Sequence, residues 1–252
     1  MEIPAPDVLD RLADHGWPAL EREPFGPWML RAADGVTNRA NSVRATGGHA
    51  DLPAAVDTAE AWYAARGLPA VFQVSPASSA ALPRELRKRG YREHSETAVL
   101  VADRSTVAAA GTRTAPSIAV APDASTGWLD TWWTVDGRGG ASARGTVERI
   151  LAGGPALYAW AGAEDAPDAV ARLALVGAWG GLYAVATLPA ARRRGLARSL
   201  TAALAGEAAG HGVERLWLQV LADNSGAIAL YESLGFVPAS RYAYWQAPLG
   251  VR

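Results

Sequence analysis

The chain has 252 residues, half of them hydrophobic, enough for one large core or two small ones. Its formal net charge of −1 withholds the positive excess that a phosphate-backbone binder carries, which argues against a nucleic-acid partner. Cysteine is absent, so disulfides, thiol nucleophiles and thiolate metal sites are excluded together, and the four histidines (His15, His49, His94, His211) lack ligand spacing, so no metal is expected.

Residues 1–10 are acidic and contain proline, without the basic start and apolar middle of a secretory signal, and a cytoplasmic protein is expected. In chain order the pattern predicts a helix over 7–15, strands over 28–32 and 41–45, and a helix over 52–66 opened by Asp51 and Pro53. A strand over 70–74, a helix over 82–89 ended by Gly90 and a strand over 97–101 follow, and residues 1–104 read as a unit of their own. Residues 105–116, rich in Ala and Thr and closing on Pro116, read as a linker. The second unit, 117–252, begins with a strand over 117–121 and a helix over 123–135 that carries Trp128, Trp132 and Trp133. A helix over 141–151 and strands over 157–161 and 169–176 come next.

Residues 173–191 hold no charge over nearly the length that crosses a bilayer. Gly177, Gly180, Gly181 and Pro189 interrupt them, and Gly180-Gly181 falls where a two-residue hairpin turn would, so two buried strands are predicted and no membrane span. A strand over 182–188 then feeds a turn containing Arg192, Arg193, Arg194 and Gly195, and Leu196, Leu200 and Leu204 follow at helical spacing. A glycine turn that opens a helix leaves several main-chain N–H groups aimed at one spot, backed by the positive end of the helix dipole. Such a spot suits a phosphate. Gly195 and Ala197 are small where a ligand would touch the main chain. Beyond the helix lie an alternating strand over 215–220, Asp223 and Asn224 as candidate caps, a helix through Tyr231, Gly235 as its C′ residue, and a last strand over 237–246. Asn224 and Tyr231, seven residues apart, share one helical face.

Arg192-Arg-Arg-Gly195-Leu-Ala197 resembles the pyrophosphate-binding Q/R-x-x-G-x-G/A motif of the GNAT superfamily of acetyl-CoA-dependent N-acetyltransferases, and Asn224 with Ala227, Tyr231, Gly235 and Phe236 resembles its N-x-x-A-x-x-x-Y-x-x-x-G-F segment. The resemblance covers roughly residues 117–248 and implies an α/β (α+β) mixed-sheet fold. The earlier half shows a faint collinear echo: residues 66–74 match 211–220, and 86–91 match 231–236. There Leu86 stands where Tyr231 does, and 46–51 replaces the basic turn with a segment ending in Asp51. Two GNAT-like domains in tandem are expected, the first degenerate and the second complete, as a monomer or weak dimer.

Acyl transfer needs a bound thioester, a polarised carbonyl, a proton for the departing thiolate and a neutral amine. By the resemblance, acetyl-CoA is the acyl donor, with its pyrophosphate on Arg192, Arg193, Arg194, Gly195, Leu196 and Ala197. Its pantetheine arm pairs with Val185, Ala186 and Thr187, and Asn224 helps to hold it. A main-chain N–H near Val185 or Ala186 polarises the carbonyl, and Tyr231 protonates the sulfur. The base stays open among Asp130, Asp136, Glu148 and none, because residues 173–191 contain no acid. The implied acceptor is the primary amine of a small molecule, with Trp128, Trp132 and Trp133 expected either to wall its pocket or to pack in the core. A non-catalytic acyl-CoA-binding protein and a protein N-terminal acetyltransferase are the alternatives.

Overall fold

The computed structural model describes residues 2–111, 117–137 and 139–248. Helix α1 (Pro6–Gly16) leads to strands β1 (Glu21–Phe25), β2 (Trp28–Ala32) and β3 (Val43–Arg44), helix α2 (Leu52–Ala64), strand β4 (Val71–Val74), helix α3 (Leu82–Lys88) and the long strand β5 (Arg92–Asp103). Helix α4 (Arg104–Ala109) precedes strand β6 (Ile118–Ala121), helices α5 (Thr126–Asp136) and α6 (Ala141–Leu151), and strands β7 (Ala156–Gly162), β8 (Pro167–Val176) and β9 (Trp179–Thr187). Helix α7 (Leu196–Glu207), strand β10 (Arg215–Leu221), helix α8 (Ser225–Glu232) and strand β11 (Val237–Gln246) complete the described chain. All eleven strands form one mixed sheet in the order β1-β2-β3-β4-β11-β5-β10-β9-β8-β7-β6, so the expected α/β mixed-sheet class holds.

That order interleaves the two halves. The last strand, β11, lies between β4 and β5, while β5 lies between β11 and β10, every one of these pairs antiparallel. Outward from the central β11–β5 pair, the parallel pair β3–β4 mirrors the parallel pair β9–β10. The repeat extends to single turns: Tyr91 N–H and Gly90 N–H close α3 on Leu86 and Arg87, as Phe236 N–H and Gly235 N–H close α8 on Tyr231 and Glu232. Gly90 (φ 79°) and Gly235 (φ 95°) both take the left-handed backbone that this cap requires.

The reading of residues 1–104 as a unit of their own is corrected by this order, and again by α1. Tyr183 of β9 donates its hydroxyl to Ala13 O (3.3 Å), and Arg172 of β8 donates to Gly16 O (2.8 Å), which seats the first helix on strands of the second half. The linker reading is corrected in part, because residues 104–109 are helical with Val107 buried; residues 112–116 lie outside the described residues. Strand β1 escaped the pattern because it is an exposed edge strand that tolerates Pro24.

Gly180-Gly181 is not the hairpin turn. Val176 pairs with Trp179, so the turn is Gly177-Ala178, with Gly177 at φ 57°. Gly180 and Gly181 lie within β9, where a Cβ on Gly181 would come within 2.3 Å of the Trp217 ring, so glycine is there for close approach rather than for bending.

Alternate residues send the sheet's two faces into different cores. Val99, Val101, Val71, Tyr183 and Tyr244 pack under α1, α5 and α6, whereas Leu100, Ala102, Leu182 and Leu218 pack under α4, α7 and α8. Phe72 and Trp245 join α2 and α3 in a third cluster. Trp128, expected as a possible pocket wall, is fully buried and donates its indole N–H to Ala159 O (3.1 Å), so it is core.

Candidate active site

The site begins where two parallel strands part. β9 and β10 are paired from Trp179–Arg215 to Leu182–Leu218, and beyond that residues 183–187 have no partner on the β10 side. On the other edge β9 stays bonded to β8, with one extra residue: the register runs from Arg172–Tyr183 to Val170–Ala186, and Ala184 sits at φ 51°. Val185, Ala186 and Thr187 follow the bulge, in the part of β9 that β10 does not pair. One main-chain edge is therefore left open to pair with an extended ligand arm.

The strand runs into the basic turn. Arg193 (φ 65°) and Gly195 (φ 76°) adopt left-handed backbone within three residues, and Arg193 does so with a side chain, a conformation that costs about 1–3 kcal/mol. The curl aims consecutive amides the same way. Arg192 N–H returns to Pro189 O and Ser199 N–H to Gly195 O, but among the described residues nothing accepts from the N–H groups of residues 193–198, and α7 has no side-chain cap. Around Gly195 an added Cβ would meet nothing within 4 Å, so the space beside these donors is open. Six unpaired amides at the positive end of a twelve-residue helix make a cradle for an anion of pyrophosphate type.

The charged side chains of the turn divide. Arg192 donates to Thr187 O (3.3 Å), Arg194 pairs with Asp168 (3.1 Å) at the surface, and Arg193 has no partner among the described residues. Arg198 reaches Ser233 and Ala110 O, tying the start of α7 to the end of α8. Leu196, the first residue of α7, is buried, and Ala197 follows it.

Asn224 accepts from Ala227 N–H (3.1 Å), so its Oδ1 caps α8, while no described residue accepts from its Nδ2. Tyr231 is 8% exposed, with its ring edge-on to Phe236 at 5.8 Å. Tyr231 lies in an apolar cluster that also contains Leu196, with Val185 and Leu188 packed against that cluster. Burial pushes its pKa up to about 12, and its hydroxyl makes no hydrogen bond. A buried phenol in this state keeps its proton at neutral pH.

The first half carries the same frame with the opening shut. Gly47 N–H bonds to Ala77 O (2.7 Å) and Ser79 N–H to Gly47 O (2.9 Å), so main chain fills the position equivalent to the cradle. Asp51 caps α2 with a carboxylate (Ala54 N–H, 3.1 Å), which repels phosphate, and Leu86 carries no proton to give.

Of the base candidates, Asp130 and Glu148 both bind Arg144 at the surface (2.7 and 2.9 Å) and are not poised for an acceptor. Asp136 is exposed at the end of α5. Sequence reasoning missed Arg39, Tyr183 and Tyr244, which gather on the opposite face of the sheet; no motif flags them, because loop and strand residues from both halves meet there only in the fold.

The family model described as "Probable histone acetyltransferase Rv0428c C-terminal" matches residues 8–245. The uncharacterized N-acetyltransferase YobR of Bacillus subtilis (strain 168) is 29% identical over 241 residues, 94% of this chain and 96% of that protein. The ribosomal protein bS18 alanine N-acetyltransferase of Salmonella typhimurium is 51% identical over 59 residues, 23% of this chain and 40% of that protein. A solved GCN5-related N-acetyltransferase from Kribbella flavida superposes with a TM-score of 0.70, at 19% identity, over 98% of each chain. With unpaired helix amides, a parted strand pair and a match along nearly its whole length, this chain belongs to the Rv0428c C-terminal acetyltransferase family, and so to the GNAT N-acetyltransferases that draw on acetyl-CoA, in the tandem form.

Proposed function

We propose that this N-acetyltransferase acetylates the primary amine of a small molecule, and that its chemistry is carried by the second half alone, residues 117–252, with residues 1–104 shaping the acceptor side. In this reading the amides of Arg193, Arg194, Gly195, Leu196 and Ala197 grip the pyrophosphate, and Arg192 stands at the mouth of the turn. The open edge at Val185, Ala186 and Thr187 pairs with the pantetheine arm, and Asn224 lends its free Nδ2. A main-chain N–H of that edge polarises the thioester carbonyl. The amine nitrogen attacks the carbonyl carbon, the C–N bond forms, the C–S bond breaks, and Tyr231 gives its proton to the sulfur. The proton shed by the amine leaves through solvent and restores the phenol.

The observation that carries this reading is the six consecutive unpaired amides of residues 193–198, together with a buried phenol whose hydroxyl has no partner among the described residues. The partial likeness to an enzyme of ribosomal protein alanine favours a second reading, a peptide amino terminus as acceptor. Titration calorimetry with acetyl-CoA, followed by coenzyme A release over matched panels of small amines and short peptides, tests both. Binding with turnover of small amines supports the proposal, turnover of peptides alone supports the second reading, and binding without turnover leaves a non-catalytic acyl-CoA receptor.

A further inference from the structure

Helix α8 carries the proposed acid, yet little of its own sequence holds it in place. It has eight residues, about two turns, too few to keep their shape without packing, and Tyr231 is the one buried residue among them. Asn224 caps its first turn and the Gly235 N–H closes its last on Glu232 O. Neither bond reaches another helix. The Tyr231 hydroxyl makes no hydrogen bond among the described residues, so the phenol stands wherever α8 stands.

One side chain supplies a tie from outside. Arg198, in the first turn of α7, donates from one guanidinium nitrogen to Ser233 Oγ, just past the end of α8, and from another to Ala110 O (3.4 Å), just past the end of α4. Ser233 Oγ in turn donates to Leu230 O (2.6 Å), the carbonyl that precedes Tyr231. Among the described residues, the bond from Arg198 is the one that joins residues 225–235 to another helix. Helix α7 is a firm post for it, because Leu196, Ser199 and Leu200 are buried and Arg104 of α4 donates to Ala205 O (3.0 Å). Helix α4 presses on the same end of α8, since a Cβ on Gly235 would come within 2.6 Å of Thr106. Three helix ends therefore meet around one planar guanidinium, whose rigid fork of donors fixes direction as well as distance.

Arg198 also belongs to the cradle. Its main-chain N–H is the last of the six open amides, so one residue faces the anion with its backbone and holds the phenol's helix with its side chain. The chemistry of the joint suits that position. The first half ties its corresponding helices with acids, Arg89 of α3 to Asp57 and Glu60 of α2, and carboxylates beside the cradle would repel a pyrophosphate. In the second half the partners are a hydroxyl and a carbonyl, so the joint leaves its positive charge beside the anion site.

Resting on the acetyl-transfer reading above, we propose that Arg198 is a positioning residue: through Ser233 it sets the end of α8 relative to the cradle, so that the Tyr231 hydroxyl meets the sulfur of a thioester whose pyrophosphate is held by the same turn. Arg198 touches no reacting atom. Its effect on turnover passes through Tyr231.

The test is a double-mutant cycle in the full chain, with coenzyme A release for kcat and KM and calorimetry for the acetyl-CoA Kd. Ser233→Ala removes the acceptor without altering the charge near the cradle, and Ser233 is exposed, so folding is not at stake. Arg198→Met removes the donors and leaves the main-chain N–H in place. Each is expected to lower kcat by roughly 10-fold, inside the 10²-fold that a misplacement of about 1 Å can cost, with the Kd little changed. Ser233→Thr, which keeps the hydroxyl, retains the wild-type kcat. On a Tyr231→Phe background neither Ser233→Ala nor Arg198→Met lowers kcat further, the non-additivity of residues that act as one unit. Full additivity with Tyr231→Phe, an unchanged kcat in Ser233→Ala, or a loss confined to the Kd in Arg198→Met, the mark of a direct cofactor contact, overturns the assignment and leaves acetyl transfer standing. A wild-type kcat in Tyr231→Phe alone strikes the acid reading on which the assignment rests.

Discussion

Tyr231 and Leu86 occupy matching places in two copies of one helix end, closed by the same pair of hydrogen bonds, yet only one of them carries a proton. Burial alone raises the Tyr231 pKa to about 12 and its hydroxyl holds no hydrogen bond among the described residues, so replacing the hydroxyl tests the proposed acid without breaking a structural bond. Tyr231→Phe is expected to lower kcat by roughly 10²-fold or more, the scale of general acid catalysis, with the calorimetric Kd for acetyl-CoA unchanged; equal kcat would remove Tyr231 from the mechanism. Gly181 makes a contrasting case, since its missing Cβ is a packing requirement of Trp217. Gly181→Ala is expected to destabilise by about 1–3 kcal/mol, read as a lower denaturation midpoint at constant slope. Sequence alone separated these residues unevenly. Tyr231 was legible because its motif is local, whereas Gly181 looked like a turn because a close approach by another strand leaves no trace in the glycine's own neighbourhood. Arg39 was illegible for the same reason: its partners come from Trp17, Tyr183 and Tyr244, up to two hundred residues away.

At the scale of elements, most helices and strands were readable from period and capping, and α6 and β11 begin and end where the pattern places them. Edges were harder. The polar start of β5 at Arg92 and the exposed β1 have no apolar alternation to announce them, because neighbouring strands rather than a core define them. Helix α1 shows what an amphipathic pattern conceals. Its buried face carries Asp14, 1% exposed, bonded to Arg31 (3.3 Å), Arg22 (2.6 Å) and Arg44 (3.4 Å) from β2, β1 and β3. Burial pushes the Asp14 carboxyl up, but Arg31, Arg22 and Arg44 outweigh it and its pKa falls below the usual value. A group depressed in this way adds stability above the unfolded carboxylate pKa of about 4, and that stability drains away as the pH drops through the lower folded value. Asp14→Ala strands Arg31 in the core and is expected to cost about 3–5 kcal/mol at neutral pH. The variant is also expected to lose part of the wild type's acid-induced fall in stability, measured by denaturant titration from pH 7 to pH 3.

For the whole molecule, the collinear echo between halves was visible in sequence, but their interleaving was not, since strand order depends on pairings that no local pattern encodes. The exchange of β5 and β11 has a direct test. Residues 117–252 expressed alone lack β5, so β10 and β11 each lose an antiparallel neighbour and expose a long sheet edge. That fragment is expected to be insoluble or unfolded by circular dichroism, and co-expression with residues 1–111 to restore a soluble complex on size exclusion. A folded, soluble fragment would show that the halves are separable after all.

The position of β11 bears on how the protein comes into being. A ribosome makes this chain from the amino end, so the strand that fills the middle of the sheet emerges after every other described strand. Until it arrives, β4 and β5 have no bridge between them, and the early half waits with its central slot vacant. The β4–β11–β5 centre of the sheet therefore cannot close before β11 has been made, and a stop codon that removes only that strand leaves both halves without a shared spine.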